Sequence, residues 1–571
     1  MTFLWVTDVL EKYAEDDGPA HEHLGPDGTW TQVSRRELQR RSRAAAAALT
    51  GLGLRPGDRV ALVAGAPEPF VRTFLGALWA GLVPVPVSPP PLLGRHGPWT
   101  ELLEAVLTAA EPKVLCLSAA EREAAPSQLP VATYEDLATA QPGGEDPAPG
   151  GPDRVAYLQF SSGSTARPRA VAARAGAVMA NATAIMREGL GADSGTDRGL
   201  SWLPLHHDMG LVGFLLAPLT AGVPTSFMPT HTFVRDPGSW MRAMSERSAT
   251  ITFAPNFAYA LAARRARPEG VAALDLTRVR VAGCGGEPVN REALHRFTTA
   301  YAPAGLRPSA VMPCYGLAES TLAVTFHPHG RPVRTERLDA AALDRGDAVP
   351  VHTAAGAAGH TAATAGHTAA AGGPSGAGPV TEVVSCGRAF RDHEVAVRDE
   401  HGRDLPDRTA GELWVRGPSA ARAYVGDPEA TRHTFHAGGW VRTGDRGYLV
   451  GGELFVTGRV KDLIVVHGHN TDPQRVEWLV EALDGVRLGG VVAFTRPAGE
   501  SEQLVLVVEC HTSAAADLPA RARAVIGARL SMAVHDVMLV RPGTLPKTTS
   551  GKPRRQETRR RYLEGELARV A

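Results

Sequence analysis

Short unbroken apolar runs alternate with longer amphipathic stretches through the first half of the chain. Ser34 to Ala48 carries the 3.6-residue period of a helix, with Ser34 and Glu37 spaced as a capping box and Gly51 or Gly53 available to close its end. RVALVAG (Arg59–Gly65) and LVPVPV (Leu82–Val87) read as buried strands on either side of a helix through Phe70–Trp79. The same alternation returns in Ile251–Arg265, Val279–Val289 and Val311–Thr325. Strand and helix in turn predict an α/β domain with a largely parallel sheet. Beyond these the pattern becomes strand-rich, in His393–Asp399, Gly411–Gly417 and Tyr448–Arg459. A last segment holds GGVVAFTRP and LVLVVEC as strands and ends in a basic tail, as a small separate domain would. The predicted fold class is therefore α/β: a large multi-lobed N-terminal domain over residues 1–458, with mixed sheets flanked by helices, and a small mobile α+β domain over 459–571.

Composition narrows the partners more than the fold. A chain of 571 residues exceeds what one hydrophobic core serves. A formal net charge of zero argues against nucleic acid. The five cysteines show neither CxxC nor zinc spacing and fit free thiols in a reducing cytoplasm. The N-terminus turns acidic without a basic leader, and the longest apolar stretches, Leu75–Val87 and Leu211–Val223, are broken by Gly or Pro, short of the roughly 18 residues a membrane span needs. Gln141–Pro152 is a Pro/Gly linker. His352–Gly373 repeats HTAA three times; it reads as a disordered insertion, with metal binding by the repeated histidines as the alternative.

The chemistry-bearing residues lie in five stretches, with one more near the end. LQFSSGSTARPRAV places Ser161, Ser162, Ser164 and Thr165 around Gly163, a loop whose hydroxyls and N–H groups can wrap a triphosphate; no Gly-Lys-Ser/Thr follows, so it is not a Walker loop. LPLHHDMGL pairs His206 and His207 before Asp208, which suits hydrogen bonding better than a metal lacking its third ligand. In CGGEPV, Gly285 and Gly286 beside Glu287 let a flat ring approach the backbone. In CYGLAEST, Tyr315 and Gly316 can face a purine and Glu319 offers hard oxygens to Mg²⁺. Asp445 and Arg459 can hold ribose hydroxyls, and Lys552, after a flexible Ser-Gly, can swing a charge into a site. Singly, each has a bland reading as core, cap or surface residue; their joint order along one chain does not.

Taken together, SSGSTARPR, YGLAEST, TGDRGYL, GRVKDLI and TTSGK resemble the ordered motifs of the adenylate-forming ligases, and SWLPLHHDMGLVGFLLAPL with KDLIVVHGHNTDPQRVE is similar to the fatty acyl-AMP ligase branch. The resemblance implies ATP-dependent activation of a medium- or long-chain fatty acid to acyl-AMP with Mg²⁺, then transfer to the phosphopantetheine thiol of a separate acyl carrier protein. It implies Thr165 and Glu319 at the metal, Lys552 and His207 at the acyl carboxylate, and Lys461 as the hinge. Met209, Phe214, Phe253, Asn256, Phe257 and Leu261 are expected around the acyl tail. In that branch an extra segment hampers the domain movement that would present coenzyme A, and Val333–Pro379 lies in the matching place. Arg169 stands where the loop's usual lysine would be, and Thr471-Asp472 replace the branch's frequent His-Tyr. Alternatives on the same scaffold are an acyl-CoA ligase and an activator of an aryl or unusual acid. The arginines of the tail suggest a docking face for an acidic carrier, or a solvated helix face.

Overall fold

The structure, a computed structural model, describes residues 3–90, 97–125, 129–141, 143, 146–148, 150–161, 168–351, 379–466, 469–498, 501–510, 516–530, 532–548 and 551–570. The expectations for Ser162, Gly163, Ser164 and Thr165, for the side chain of Ser161 and for the HTAA repeat lie outside the described residues.

The early helix runs over Arg35–Gly51 with Ser34 as its N-cap, whose Oγ accepts from the Glu37 N–H at 3.2 Å. The return half of the expected capping box is replaced. Glu37 binds Arg40 and Arg41 instead, at 2.7 and 2.6 Å, because two guanidiniums one turn on attract a carboxylate more strongly than a neutral N–H does.

Three sheets place the site. A four-stranded parallel sheet orders Val83–Val87, Arg59–Val63, Val114–Leu117 and Val131–Thr133. A nine-stranded sheet has Gly199–Ser201, Ile251–Ala254, Val281–Cys284 and Val311–Gly316 as parallel neighbours at its centre, with antiparallel strands at both edges. The carboxyl ends of these parallel strands carry Asn256, Gly285–Glu287 and Tyr315, the place where open α/β sheets bind ligands. A third, antiparallel sheet of Glu394–Arg398, Gly411–Arg416, Trp440–Val450 and Glu453–Arg459 sets Asp445 directly opposite Arg459. The hydroxyl-rich loop connects the hairpin Val155–Ser161 and Arg169–Arg174, in which Ser161 pairs with Arg169.

The stretch from Val333 opens with a strand, Thr335–Asp339, and a helix, Ala340–Asp344; the strand pairs antiparallel with Val380–Val384. From Ile464 onward the chain packs two apolar clusters from its own residues only, around the strands Val486–Ala498, Ser501–Cys510 and Val534–Val540. Four of the five tail arginines are engaged by other groups, and Arg554 is exposed. Arg555 is buried between Asp462 and Glu477, Arg559 donates to the Thr495 carbonyl, and Arg560 and Arg561 are bound by Glu557 on their own helix. No helix among the described residues is long and apolar enough to cross a membrane.

Candidate active site

Tyr315 ends a central strand with its ring buried, and its hydroxyl donates to Asp445 Oδ2 at 2.8 Å. Arg459 Nε donates to the other oxygen of Asp445 at 3.1 Å, as the cross-strand register requires. Burial pushes the Tyr315 phenol well up, so it remains a donor. The glycines beside it have different reasons. Gly285 makes room for Cys314, whose Sγ would lie 2.6 Å from an added Cβ, so crowding between strands accounts for it without an approaching ring. Gly286 stands at φ +82°, where side chains are strained. The Glu287 carboxylate accepts from the Asn256 N–H at 3.0 Å; burial raises it, against the pull of Lys552.

Glu319 lies in the 3₁₀ turn Ala318–Ser320, which Thr321 closes at φ 67°, a positive φ unusual for threonine. Thr321 Oγ1 donates to the Ser419 carbonyl at 2.8 Å and the Ala421 N–H donates to that of Glu319 at 2.8 Å, bonds that hold the turn. Tyr424, which the motifs did not single out, donates its hydroxyl to Glu319 Oε1 at 2.7 Å, and the Arg169 guanidinium lies 5.4 Å from the Tyr424 ring centroid. Burial raises the Glu319 carboxyl.

His207 caps the short helix Asp208–Leu211, its Nδ1 2.7 Å from Asp208 Oδ1, which also accepts the Met209 N–H. Burial raises the Asp208 carboxyl, but His207, that N–H and Lys552 outweigh it and hold it below the usual range. His206 points into the interior with neither ring nitrogen partnered, and burial lowers it to about 3, so it stays neutral.

Lys552 comes to this cluster from the far end of the chain. Its ammonium donates to the Gly286 carbonyl at 2.5 Å; burial lowers its pKa, while Glu287, Asp208 and Asp445 support the charged form. Behind it, Arg555 clasps Asp462 at 2.6 Å and Glu477 at 2.9 Å, next to exposed Lys461 in the turn Val460–Asp462.

One cavity of about 740 Å³ takes in this cluster from both portions of the chain, and His207, Met209, Phe253, Asn256, Phe257, Gly286, Glu287, Tyr315, Gly316, Glu319, Asp445, Arg459, Lys461 and Lys552 all line it. Three expected residues do not. Gly285 turns toward Cys314; Phe214 is buried behind Phe253, ring centroids 6.1 Å apart; and the helix Asn256–Arg265 carries Leu261 a turn beyond Phe257. Asn256 reaches the wall but acts as a brace, donating to the Pro288 carbonyl at 2.7 Å and accepting from the Asn290 N–H at 2.8 Å.

Residues 10–425 match the family described as AMP-binding enzyme. The chain belongs to that family. A relative from Caulobacter vibrioides, whose name assigns it provisionally to the acyl-CoA synthetases, is 36% identical over 90% of this chain and 88% of its own length. The long-chain-fatty-acid–AMP ligase FadD26 of Mycobacterium marinum is 35% identical over 94% of this chain and 93% of its own. A solved structure from work on fatty acyl-adenylate ligases of E. coli and L. pneumophila superposes with a TM-score of 0.89 at 32% identity, covering 99% of this AMP-binding enzyme and 98% of that chain.

Proposed function

We propose that this AMP-binding enzyme uses ATP to convert a fatty acid to acyl-AMP and pyrophosphate, and then transfers the acyl group to the phosphopantetheine thiol of a separate acyl carrier protein. The single observation that carries the reading is the Lys552 ammonium inside the cavity, on the Gly286 carbonyl and among Glu287, Asp208 and Asp445.

In the first half-reaction a carboxylate oxygen attacks the α-phosphorus of ATP, the new P–O bond forms and the bond to the pyrophosphate breaks. No proton has to move. The obstacle is the approach of two anions, so positioning and electrostatics carry the catalysis. A cation about 4 Å from each anion gains on the order of 4 kcal/mol per pair at the effective dielectric of a protein surface. Lys552 fills that role between the acyl carboxylate and the α-phosphate, with His207, aligned by Asp208, flanking the carboxylate. Gly286–Glu287 and Tyr315–Gly316 seat the adenine, Asp445 and Arg459 the ribose. The loop from Ser161 to Thr165 holds the departing pyrophosphate.

Glu319 fits Mg²⁺. Tyr424 occupies only one of its oxygens, and Mg²⁺ is ordinarily held by one or two carboxylates plus substrate phosphates. Thr165 would be its second protein ligand. When bound, the ion neutralises charge on the phosphates.

In the second half-reaction the carrier thiolate attacks the acyl carbonyl, the mixed anhydride breaks and AMP leaves. Lys552 and the thiol need the same approach, so the portion beyond Lys461 turns about that residue between steps. The carrier is favoured over coenzyme A by the stretch from Val333: its helix ends at Asp344, which pairs with Arg475 at 2.6 Å and so touches the portion that must turn. Lys552→Ala is expected to lower acyl-AMP formation at least about 100-fold, read by ATP–pyrophosphate exchange; unchanged exchange would refute the assignment. Incubation with ATP, acid and either coenzyme A or a loaded carrier protein separates the two acceptors.

A further inference from the structure

Aromatic rings form part of the apolar lining of the cavity. Phe253 and Phe326 both line it, with centroids 5.6 Å apart. Each keeps 8% exposure, while the rings set edge-on against them are drier: Phe214, 6.1 Å from Phe253, keeps 2%, and Phe390, 5.1 Å from Phe326, keeps 3%. Glycines report how tightly the pair is held. A Cβ on Gly283 would lie 2.1 Å from the Phe253 ring, and one on Gly189 would lie 2.6 Å from the Phe326 ring. Phe214 and Gly189 each belong to a π-helical turn, Val212–Leu216 and Ala184–Gly189, and such turns recur at functional sites. Each front ring is backed by a buried ring and approached closely by a glycine, so moving it means displacing a packed neighbour.

We propose that Phe253 and Phe326 are the end wall of the acyl subsite and set the upper length of the tail that is activated; the proposal rests on the acyl-adenylating reading above. The one cavity must hold the nucleotide and the acid together, and a tail that runs into the wall has to displace a ring backed by Phe214 or Phe390. The substrate class is therefore a fatty acid of medium length, with long saturated acids rejected by overpacking.

The test is ATP–pyrophosphate exchange with saturated acids from butanoate to hexadecanoate, on the whole chain and on Phe253→Ala and Phe326→Ala. The unaltered enzyme is expected to prefer a medium-length acid over hexadecanoate by at least about tenfold. Phe253→Ala removes six ring carbons, room for about four to six methylenes in a close-packed wall, and its optimum is expected to move to longer acids by about that many. Should the alanine variants fail to fold, Phe253→Leu and Phe326→Leu are expected to shift the optimum the same way in smaller steps. Equal exchange on hexadecanoate and octanoate, or folded variants with an unshifted profile, overturns the wall. A parallel ladder of acyl-sulfamoyl adenosines, read by the rise in melting temperature, tests the two readings separately. No exchange on any acid, with binding that still stops at one tail length, overturns adenylation and leaves the wall. Binding without regard to length overturns the wall alone, and no binding at any length overturns both.

Discussion

At one end of the cavity Lys552, Glu287, Asp208, Asp445 and Arg459 meet across two portions of the chain; at the other, Phe253 and Phe326 meet within one. The first meeting is made of hydrogen bonds and charge contacts between groups on two portions of the chain, contacts that a rotation of one portion breaks together. The second is made of rings in one continuous apolar cluster, where displacement creates voids or clashes. A cavity built this way can rearrange its charges between two half-reactions while its measure of the tail stays constant. The contrast predicts that changes at the polar end alter rate and step, and that changes at the aromatic end alter which acid is chosen.

Lys461→Pro should separate the ends most sharply. Proline fixes φ and removes an N–H in the turn Val460–Asp462, the swivel point proposed above. Acyl-AMP formation should survive, transfer to the carrier should fall at least about 100-fold, and the tail preference should not move. Following acyl-AMP and acyl-carrier separately in single-turnover mixtures checks this. Transfer at the unaltered rate would remove Lys461 from the hinge, and a changed tail preference would break the separation itself.

Tyr424→Phe acts more mildly. It takes from Glu319 the hydroxyl that binds Oε1 and leaves a buried carboxyl already raised by its surroundings less well served. Loss of a hydrogen bond to a charged group is worth about 1.5–3 kcal/mol, so the first half-reaction should slow by about ten- to a hundredfold. Restoration of the rate by excess Mg²⁺ would place the defect at the cation, and the chain-length profile should stay as it was. A variant as fast as the parent would free Tyr424 of any part in holding Glu319.

What could be read from the sequence divides along the same line. Lys552, Glu319, Asp445 and Arg459 stand in motifs whose residue types declare their chemistry, and all four line the cavity. The parallel strands whose ends carry Asn256, Glu287 and Tyr315 follow from apolar runs alone. Tyr424 escaped because it meets Glu319 from 105 residues away, and nothing around it in the chain announces the pairing. Phe326 escaped for a similar reason: in the chain it is one more apolar strand residue, and only Gly189 and Phe390, distant in sequence, make it part of a wall. Phe214 has the right chemistry for a pocket, but a π turn sets it behind Phe253. Asn256 was expected against the tail; it lines the cavity and also braces the strand end at Pro288 and Asn290, a role the pattern does not show. Local pattern reveals groups that act by charge; groups that act by shape depend on neighbours the pattern does not contain.

The smallest expected effect tests how far the polar end is held in a state it would leave if freed. Glu481 lines the cavity on the later portion of the chain; burial, then Glu477 and Glu287, raise its carboxyl from 4.5 to about 8, against the Gly489 N–H and Lys547. An acid with a raised pKa binds more protons folded than unfolded between those two values. Its contribution is therefore fully present below 4.5 and is lost as pH rises toward about 8, where the docked portion must carry a third carboxylate beside two others. Glu481→Gln removes that dependence. The two proteins should melt alike near pH 4, and the gap should open as pH rises toward 8, with the variant melting higher. Equal melting at both pH values would mean that the docked portion relieves Glu481 without holding a proton, and the polar end would then be as settled as the aromatic one.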